Sequence, residues 1–218
     1  MLSIDRNLKQ HCPALQIVCI QGSVSVGKSA AALVQLLNAR AAQLSSQITS
    51  PEIVSNSDIA ATRDAYRSLG KDPSRYRGSA EALLRRVTLG KALYFINNLV
   101  DINNLVSLES FLPVGSYDLA RIVGEIVFRI GTSGESYKGI GKDLINIADL
   151  PVFADDEGPF GSPTSDSERS MITSSTRQFV MMIISFAGKA DLNVPAERAI
   201  ELVTNHANGS DLSFQMIS

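Results

Sequence analysis

The run FVMMIISF, from Phe179 to Phe186, constrains the fold more than any other stretch of the sequence. A membrane-spanning helix needs roughly 20 apolar residues, and this run is far shorter. Its length is that of a strand, and a run of this kind predicts a fully buried one. The stretch LQIVCI, residues 15–20, predicts a second buried strand, and VSV at 24–26 continues its period-two pattern.

Apolar residues at helical spacing fill much of the chain between these strands. Asp58 and Ser79 stand where helix caps are expected, and Gly70 and Gly90 stand where helices are expected to stop. Ser50-Pro51 is expected to break the chain before the first of these caps. The predicted helices cover residues 29–45, 58–69, 79–89, 98–110 and 195–207.

Loops and strands are expected in the second half of the chain. The segment from Val114 to Asp118 is expected to be a loop, and residues 124–130 and 136–140 are expected to form a hairpin. Residues 151–154 suggest the edge of a strand. The stretch 155–170 is rich in Gly, Pro, Ser and Asp. Loops of that length more often have a function than serve only as connections. Strands and helices do not alternate regularly, so we predict an α+β fold.

The amino-acid composition limits the kinds of protein to which this chain can belong. The 218 residues, 44% of them hydrophobic, suit one globular domain. No apolar run reaches membrane-spanning length, and the N-terminal residues lack an apolar signal segment, so we expect a cytoplasmic protein without membrane contact. Two cysteines and two histidines show no metal-ligand spacing, so we expect neither a metal nor a cofactor.

Charge is unevenly distributed along the chain. The net charge of −2 argues against a strong generic nucleic-acid binder. However, residues 67–91 hold seven bases against two acids, whereas nine acids and four bases follow residue 150. The basic segment is expected either to contact phosphate locally or to form a solvated helix face with salt bridges.

Residues Gly22–Ser29, GSVSVGKS, match the phosphate-binding pattern G-x-x-x-x-G-K-S letter for letter. On this interpretation backbone N–H groups hold phosphate, Lys28 neutralises it and Ser29 binds Mg²⁺. The alternation of Val24 and Val26 with serines instead favours a strand that continues through the segment. A nucleotide-binding protein is therefore an alternative function from a different class.

Polar residues from three segments are expected to converge on one Gly-rich opening: Asn103 and Asn104 on a helix, the segment from Val114 to Asp118, and residues 158–173. Each segment also has a structural interpretation. An asparagine on an apolar helix is often a satisfied interhelical hydrogen bond, and Tyr117-Asp118 is also compatible with a pinned turn.

The stretch INNLVDINNLVSLESFLPVGSYDL, residues 96–119, resembles the β subunit of phenylalanyl-tRNA synthetase, in the domain that binds tRNA and edits mischarged tRNA. The agreement extends through residues 72–87 and 155–177, and the chain is similar still more closely to stand-alone proteins built from that domain. The resemblance implies a barrel-like β-sandwich with helices packed against it. It also implies a single domain over residues 1–218, with a core at about 60–187 on which segments 15–46 and 195–207 pack.

The resemblance further implies a pocket for the amino acid and terminal adenosine of an aminoacyl-tRNA. Asn104 and Thr176 would orient the ester or a water, and backbone N–H groups around Gly161-Ser162 would hold a carbonyl or carboxylate. Ester hydrolysis needs little more than such positioning, so no Ser/His/Asp triad is required. The basic residues expected at tRNA phosphates are Arg75, Arg77 and Arg85. The other residues expected at the substrate are Asn103, Gly115, Tyr117, Asp118, Glu168 and Met182.

The chain departs from the synthetase at two positions. Gly115 stands where the synthetase has a histidine associated with editing, and Met182 stands where it has a glutamate that discriminates tyrosine. Editing of tyrosine by the synthetase's own arrangement is therefore not expected, and the chain contains no module for charging tRNA. We expect a protein that binds tRNA or aminoacyl-tRNA, either hydrolysing mischarged tRNA in trans or binding without catalysis. A small-molecule-binding domain is a further alternative.

Overall fold

The computed structural model describes residues 2–188 and 191–218. Short 3₁₀ turns lie at Leu119–Arg121 and Glu168–Ser170. The helices and strands, in chain order, are β1 (Leu2–Ile4), α1 (Arg6–His11), β2 (Gln16–Ser23), α2 (Ala31–Gln47), α3 (Ser50–Ser55), α4 (Ser57–Ser68), α5 (Ser79–Thr88), α6 (Asn98–Ser110), β3 (Val114–Asp118), β4 (Ile126–Ile130), β5 (Ser136–Lys138), β6 (Leu144–Asn146), β7 (Pro151–Asp155), β8 (Gly158–Gly161), β9 (Gln178–Ser185), α7 (Asn193–Ala207) and β10 (Ser210–Ile217).

Strand β9 lies inside an antiparallel sheet with the order β10-β2-β9-β3. Every residue from Phe179 to Phe186 is buried, which confirms the prediction of a fully buried strand. Successive side chains of a strand point to opposite faces. Met181 and Ile183 therefore pack under the helices, while Val180 and Met182 pack against a second sheet.

The second sheet has the order β1-β4-β7-β8 and stacks on one face of the first. Aromatic side chains fill the space between the two sheets. The rings of Phe128 and Phe153 stack with centroids 4.3 Å apart, and the ring of Tyr117 meets Phe160 edge-on at 4.9 Å. Neither strand order closes on itself among the described residues, so a stacked pair of open sheets takes the place of the expected barrel-like closure.

Helices α6 and α7 pack on the other face of the first sheet, and α2 and α5 pack against α6. Their buried leucines and alanines form the largest apolar cluster, with Leu37, Leu84, Leu105 and Leu202 among its members. The result is three layers, sheet on sheet on helices, and the α+β prediction is confirmed. No helix in residues 2–188 or 191–218 has the length and apolar character that a membrane crossing requires.

Two predictions for the second half of the chain, a loop and a hairpin, are wrong. The segment Val114–Asp118, expected to be a loop, is strand β3, which pairs with β9 along its whole length. The expected hairpin does not form, because β4 pairs with β1 and β7 while β5 pairs with β6. The stacking of Phe128 on Phe153 explains the preference of β4 for β7, since it buries two large aromatic rings.

Several expected boundaries also shift. Asn56 rather than Asp58 caps α4, and Ser50-Pro51 begins α3, where Thr49 and Glu52 form a capping box. Residues 24–26 alternate in burial, but they lie beyond the end of β2. The stretch 155–170 contains β8 and a 3₁₀ turn, and residues 151–154 belong to β7, an inner strand. Strands β1 and β10 and helix α1 had no counterpart in the sequence predictions.

Candidate functional site

Strand β3 distributes the expected site residues over both faces of the first sheet. Gly115 and Tyr117 pair with Met182 and Val180, so they face the space between the sheets. Ser116 and Asp118 face the helical layer instead, because neighbouring residues of a strand point to opposite sides. The residues expected to form one pocket therefore form two clusters, one on each side of β3.

On the sheet-facing side, the side chain of Tyr117 occupies the space that two glycines leave open. A Cβ placed on Gly115 would lie 2.7 Å from the Tyr117 hydroxyl oxygen, and one on Gly161 would lie closer still. Met182, opposite Gly115 on β9, is fully buried. This region of the sandwich is packed with protein atoms.

Three tyrosine hydroxyls hold the loop of residues 162–166 against the sandwich. The Tyr66 hydroxyl is 2.6 Å from Thr164 Oγ1, the Tyr117 hydroxyl donates to Asp166 Oδ1 at 2.8 Å, and the Tyr137 hydroxyl donates to the Ser165 carbonyl at 2.6 Å. Burial raises the pKa of Asp166 to about 6 and the pKa of Tyr117 well above its usual value. Tyr117 therefore stays a donor over the working pH range.

The polar groups of this loop are used within the protein. The Ser162 N–H, expected at a substrate carbonyl, donates to the Ser165 carbonyl at 2.8 Å. The Ser162 hydroxyl accepts from the N–H groups of Thr164 and Ser165 at 3.2 and 3.0 Å. Glu168 forms a 2.9 Å ion pair with Lys138.

On the helix-facing side, hydroxyl groups link β3 to its neighbours. The Ser116 hydroxyl donates to Asn103 Oδ1 on α6 at 2.8 Å. The Thr176 hydroxyl donates to Asp118 Oδ2 at 2.7 Å, and Asp118 Oδ1 accepts from the Ala120 N–H at 3.1 Å. Thr176 is 1% exposed, so its hydroxyl holds the Asp118 carboxylate rather than facing solvent.

A cleft of about 430 Å³ opens beside this Asp118–Thr176 pair. Asp118 is the single acidic residue among those that line the cleft, and two exposed arginines, Arg121 and Arg177, lie around it. A serine hydroxyl and a glutamine amide add further hydrogen-bonding groups. The residues lining the cleft are Asp118, Ala120, Arg121, Ser175, Arg177 and Gln178. We call this feature the Asp118 cleft.

Neither arginine of the Asp118 cleft was predicted from the sequence. Arg121 follows the stretch that resembles the synthetase, and Arg177 ends another such stretch. Arg121 is carried by the 3₁₀ turn that Asp118 caps, and Arg177 immediately precedes β9. A guanidinium group is suited to phosphate and carboxylate, so the cleft has the chemistry of an anion-binding site.

A family model described as "B3/4 domain" matches residues 61–205, about two thirds of the chain. The chain belongs to this family. The match includes all of α5, α6, β3 and β9, and with them both walls of the Asp118 cleft.

Two curated relatives connect this B3/4 domain with a synthetase. The phenylalanine–tRNA ligase β subunit of Psychrobacter arcticus is 33% identical over 87 residues, which are 39% of this chain and 11% of that protein. The corresponding subunit of Nitrosospira multiformis is 41% identical over 69 residues, 29% of this chain and 9% of that protein. The matches confirm the resemblance predicted from the sequence, and they span about a tenth of each relative's length.

Among solved structures, an N-terminal fragment of the phenylalanyl-tRNA synthetase β subunit from Pyrococcus horikoshii aligns with this chain with a TM-score of 0.47 and 13% sequence identity. The alignment covers 100% of this chain and 50% of that one.

The remaining expected site residues of the B3/4 domain lie away from the Asp118 cleft. Arg85 donates from Nε to Glu81 at 2.8 Å, and the Arg77 Nε is 3.9 Å from the same carboxylate. Arg75 is exposed beside them on the segment that leads into α5. Asn104 is half-buried on α6 and is not among the residues that line the Asp118 cleft.

The segment Gly22–Ser29 does not form a phosphate-binding loop. Its N–H groups donate to protein acceptors: Val24 to the Arg177 carbonyl, and Gly27 to Asn98 Oδ1. The Ser29 hydroxyl, expected at Mg²⁺, donates to Asp101 Oδ2 at 2.5 Å. The Ser25 N–H donates to the Ala207 carbonyl, so these amides point to three different parts of the protein and do not converge on one point.

Proposed function

We propose that this B3/4 domain binds tRNA and holds the aminoacyl end in the Asp118 cleft. The observation that carries the proposal is the placement of Arg121 and Arg177 around the cleft, within a region matched by the family model. The curated relatives are subunits of a ligase that acts on tRNA, which supports tRNA as the partner.

The chemistry of the Asp118 cleft fits the end of a charged tRNA. Two guanidinium groups attract the terminal phosphates, and the Ser175 hydroxyl and Gln178 amide offer hydrogen bonds to a ribose or base edge. The Asp118 carboxylate, fixed by Thr176, attracts the free ammonium group of an esterified amino acid. The cleft thus carries both positive and negative groups, which complement a ligand that has phosphates and an ammonium group.

Ester hydrolysis is the reaction that this placement permits, since it requires a positioned water and a group that stabilises an oxyanion. In this proposal Arg177 faces the developing negative charge. Thr176 is a positioning residue, because it acts by holding Asp118. In the same proposal Asn104, on helix α6, orients the acceptor stem. Arg75 and Arg77, exposed at the start of α5, contact phosphates further along the tRNA. A partner of this kind also favours a cytoplasmic location.

The test is tRNA affinity measured as a function of salt. Exchanging Arg121 and Arg177 together for alanine should lower affinity about tenfold or more and reduce the slope of log affinity against log salt by about 1–2. The control is Arg6→Ala, which removes an exposed arginine from α1 and should change neither quantity. Equal affinity and slope for the double variant and the wild type would overturn the assignment of the Asp118 cleft.

A further inference from the structure

The segment that joins α5 to α6 exposes an unusual set of apolar and aromatic side chains. Leu89, Tyr94, Phe95 and Ile96 are 64, 68, 43 and 65% exposed. They make up four of the eleven large hydrophobic residues that are exposed in the described part of the chain. An apolar cluster on the surface of a monomer commonly marks an interaction site.

Contacts with the rest of the protein fix the conformation of this segment. Leu93 is buried and anchors its centre, and the Arg86 Nε donates to the Ala92 carbonyl at 2.6 Å. The Arg86 guanidinium lies 4.0 Å from the centre of the Tyr94 ring, a cation–π contact that fixes the ring. The Ile96 N–H donates to the buried Asp101 carboxylate at 3.0 Å. The rings are therefore presented on a preformed surface.

The same Asp101 carboxylate connects this segment to Lys28. It accepts the Ser29 hydroxyl as well as the Ile96 N–H. The Asn98 N–H donates to the Gly27 carbonyl at 2.9 Å, and the Gly27 N–H donates back to Asn98 Oδ1. These bonds place the exposed Lys28 beside the end of the aromatic segment.

The segment carries positive charge and no accessible acid of its own. The sequence has no Asp or Glu between Glu81 and Asp101, and Asp101 itself is fully buried. Helix α2, which faces the segment across a groove of about 240 Å³, also contains no acidic residue. On a protein of net charge −2, a segment that lacks acids and lies beside Lys28, Arg86 and Lys91 favours a partner that carries phosphates.

We propose that this surface, residues 86–96 together with Lys28, binds single-stranded nucleic acid. Bases stack on the rings of Tyr94 and Phe95, and Lys28, Arg86 and Lys91 contact the phosphates. Aromatic platforms flanked by cations are the general means of holding unpaired nucleotides. A bilayer fits less well, because residues 91–97 are not helical and so offer no helical apolar face to lie in a membrane interface.

The surface shares no residue with the Asp118 cleft, so the two proposals can fail separately. The chain has no tryptophan, which makes a single introduced one a specific probe. Tyr94→Trp keeps a stacking ring at the proposed site. Leu144→Trp places the matched control on β6, where the replaced side chain is 74% exposed.

The measurement is tryptophan fluorescence during titration with an unstructured oligoribonucleotide, with a duplex of equal length as comparison. We expect saturable quenching of Tyr94→Trp by the single strand, weaker binding of the duplex, and no quenching of Leu144→Trp. Phe95→Ala should weaken oligonucleotide binding about tenfold in an anisotropy assay, since stacking is lost. Lys91→Ala should lower the salt slope by about 0.7, the value for one contact to a single strand. Lys142→Ala, at an exposed lysine elsewhere, should not.

Three results would overturn the proposal. The first is equal binding of single strand and duplex, which would indicate charge attraction without stacking. The second is no oligonucleotide binding, and the third is binding that Phe95→Ala leaves unchanged. Binding of Tyr94→Trp to anionic vesicles instead of RNA would assign the surface to a membrane. If tRNA binding still depends on Arg121 and Arg177 in any of these cases, the Asp118 cleft proposal stands alone.

Discussion

The hydroxyl of Tyr117 donates to Asp166 Oδ1 at 2.8 Å, and the ring beneath it lies against both Gly115 and Gly161. Tyr117 therefore joins strand β3 to the loop after β8 and occupies the space between the two glycines. A side chain larger than hydrogen at Gly115 requires Tyr117 to move. This relationship explains why a histidine at position 115 and the observed position of Tyr117 are mutually exclusive.

Asp166 should make stability depend on pH. Its pKa is raised to about 6 by burial, so the folded state holds the proton more tightly than the unfolded chain does. The contribution is fully present below about pH 4 and is lost as the pH rises through about 6. Relative to Asp166→Asn, the wild type should lose about 2 kcal/mol of unfolding free energy between pH 4 and pH 7.

Urea unfolding of both proteins at pH 4, 5.5 and 7 measures this difference. Asp143→Asn, at an exposed position, serves as the matched control and should follow the wild type at each pH. Parallel curves for the wild type and Asp166→Asn would show that Asp166 does not change its protonation in this range.

Gly115→Ala should destabilise the fold through its contact with the Tyr117 hydroxyl. The new Cβ would lie 2.7 Å from that oxygen, so the ring must shift. In a Tyr117→Phe background the cost should fall by about 1 kcal/mol, because the colliding oxygen is gone. A double-mutant cycle by chemical denaturation measures the coupling. Gly27→Ala is the control, since no atom beyond its immediate chain neighbours lies within 4 Å of its added Cβ.

Glu81 should be a structural residue and Arg85 largely its partner. Glu81 is 2% exposed and lies 3.0 Å from Arg63 and 2.8 Å from Arg85. Glu81→Gln should therefore lower the unfolding free energy by about 3 kcal/mol, as it leaves a part-buried arginine without its counter-charge. Thermal unfolding of the two proteins measures the loss, and unchanged stability would contradict it.

The ion pairs around Glu81 imply different roles for the arginines near α5. Arg75→Ala should weaken tRNA binding more than Arg85→Ala, because Arg85 already donates to Glu81. Filter-binding or anisotropy measurements at two salt concentrations distinguish them. A larger loss of affinity for Arg85→Ala, in a protein that stays folded, would reverse the assignment.

Ser29 should contribute to stability and Lys28 should not. Ser29→Ala removes a hydroxyl that donates to the buried Asp101 carboxylate, at a cost of about 2 kcal/mol. Lys28→Ala changes an exposed side chain and should be neutral in the same denaturation assay. Saturable Mg–ATP binding that Lys28→Ala abolishes would instead restore the nucleotide-binding interpretation.

The elements that the sequence predicted well are those whose signal is local. Strand β9 and helices α6 and α7 follow from apolar runs and helical spacing within their own residues. Strand β3 was missed because Pro113 and Gly115 suggest a loop, whereas its conformation depends on pairing with β9, more than sixty residues later in the chain. The partner of β4 was missed for the same reason, as the stacking of Phe128 on Phe153 is not a local feature.

The residues of the candidate site also divide into those with a local sequence signal and those that depend on distant pairing. The stretches that carry the family resemblance identified Asp118 and Thr176, which are indeed hydrogen-bonded to each other. Their sequence gave no sign that Gly115 and Asp118 face opposite sides of a sheet, since that follows from β3 being a strand. Arg121 and Arg177 come together only through the pairing of β3 with β9, so no spacing rule could have linked them.

The most direct test of the central claim is the rate of ester hydrolysis in charged tRNAs at saturating protein. A protein that holds the aminoacyl end in the Asp118 cleft must change the access of water to the ester. We predict an altered rate, faster or slower, for at least one correctly or incorrectly charged tRNA, and a return to the spontaneous rate with Arg121 and Arg177 both exchanged for alanine. Acceleration that Asn104→Ala also removes would identify a deacylase. A rate equal to the spontaneous one for every charged tRNA would contradict the account.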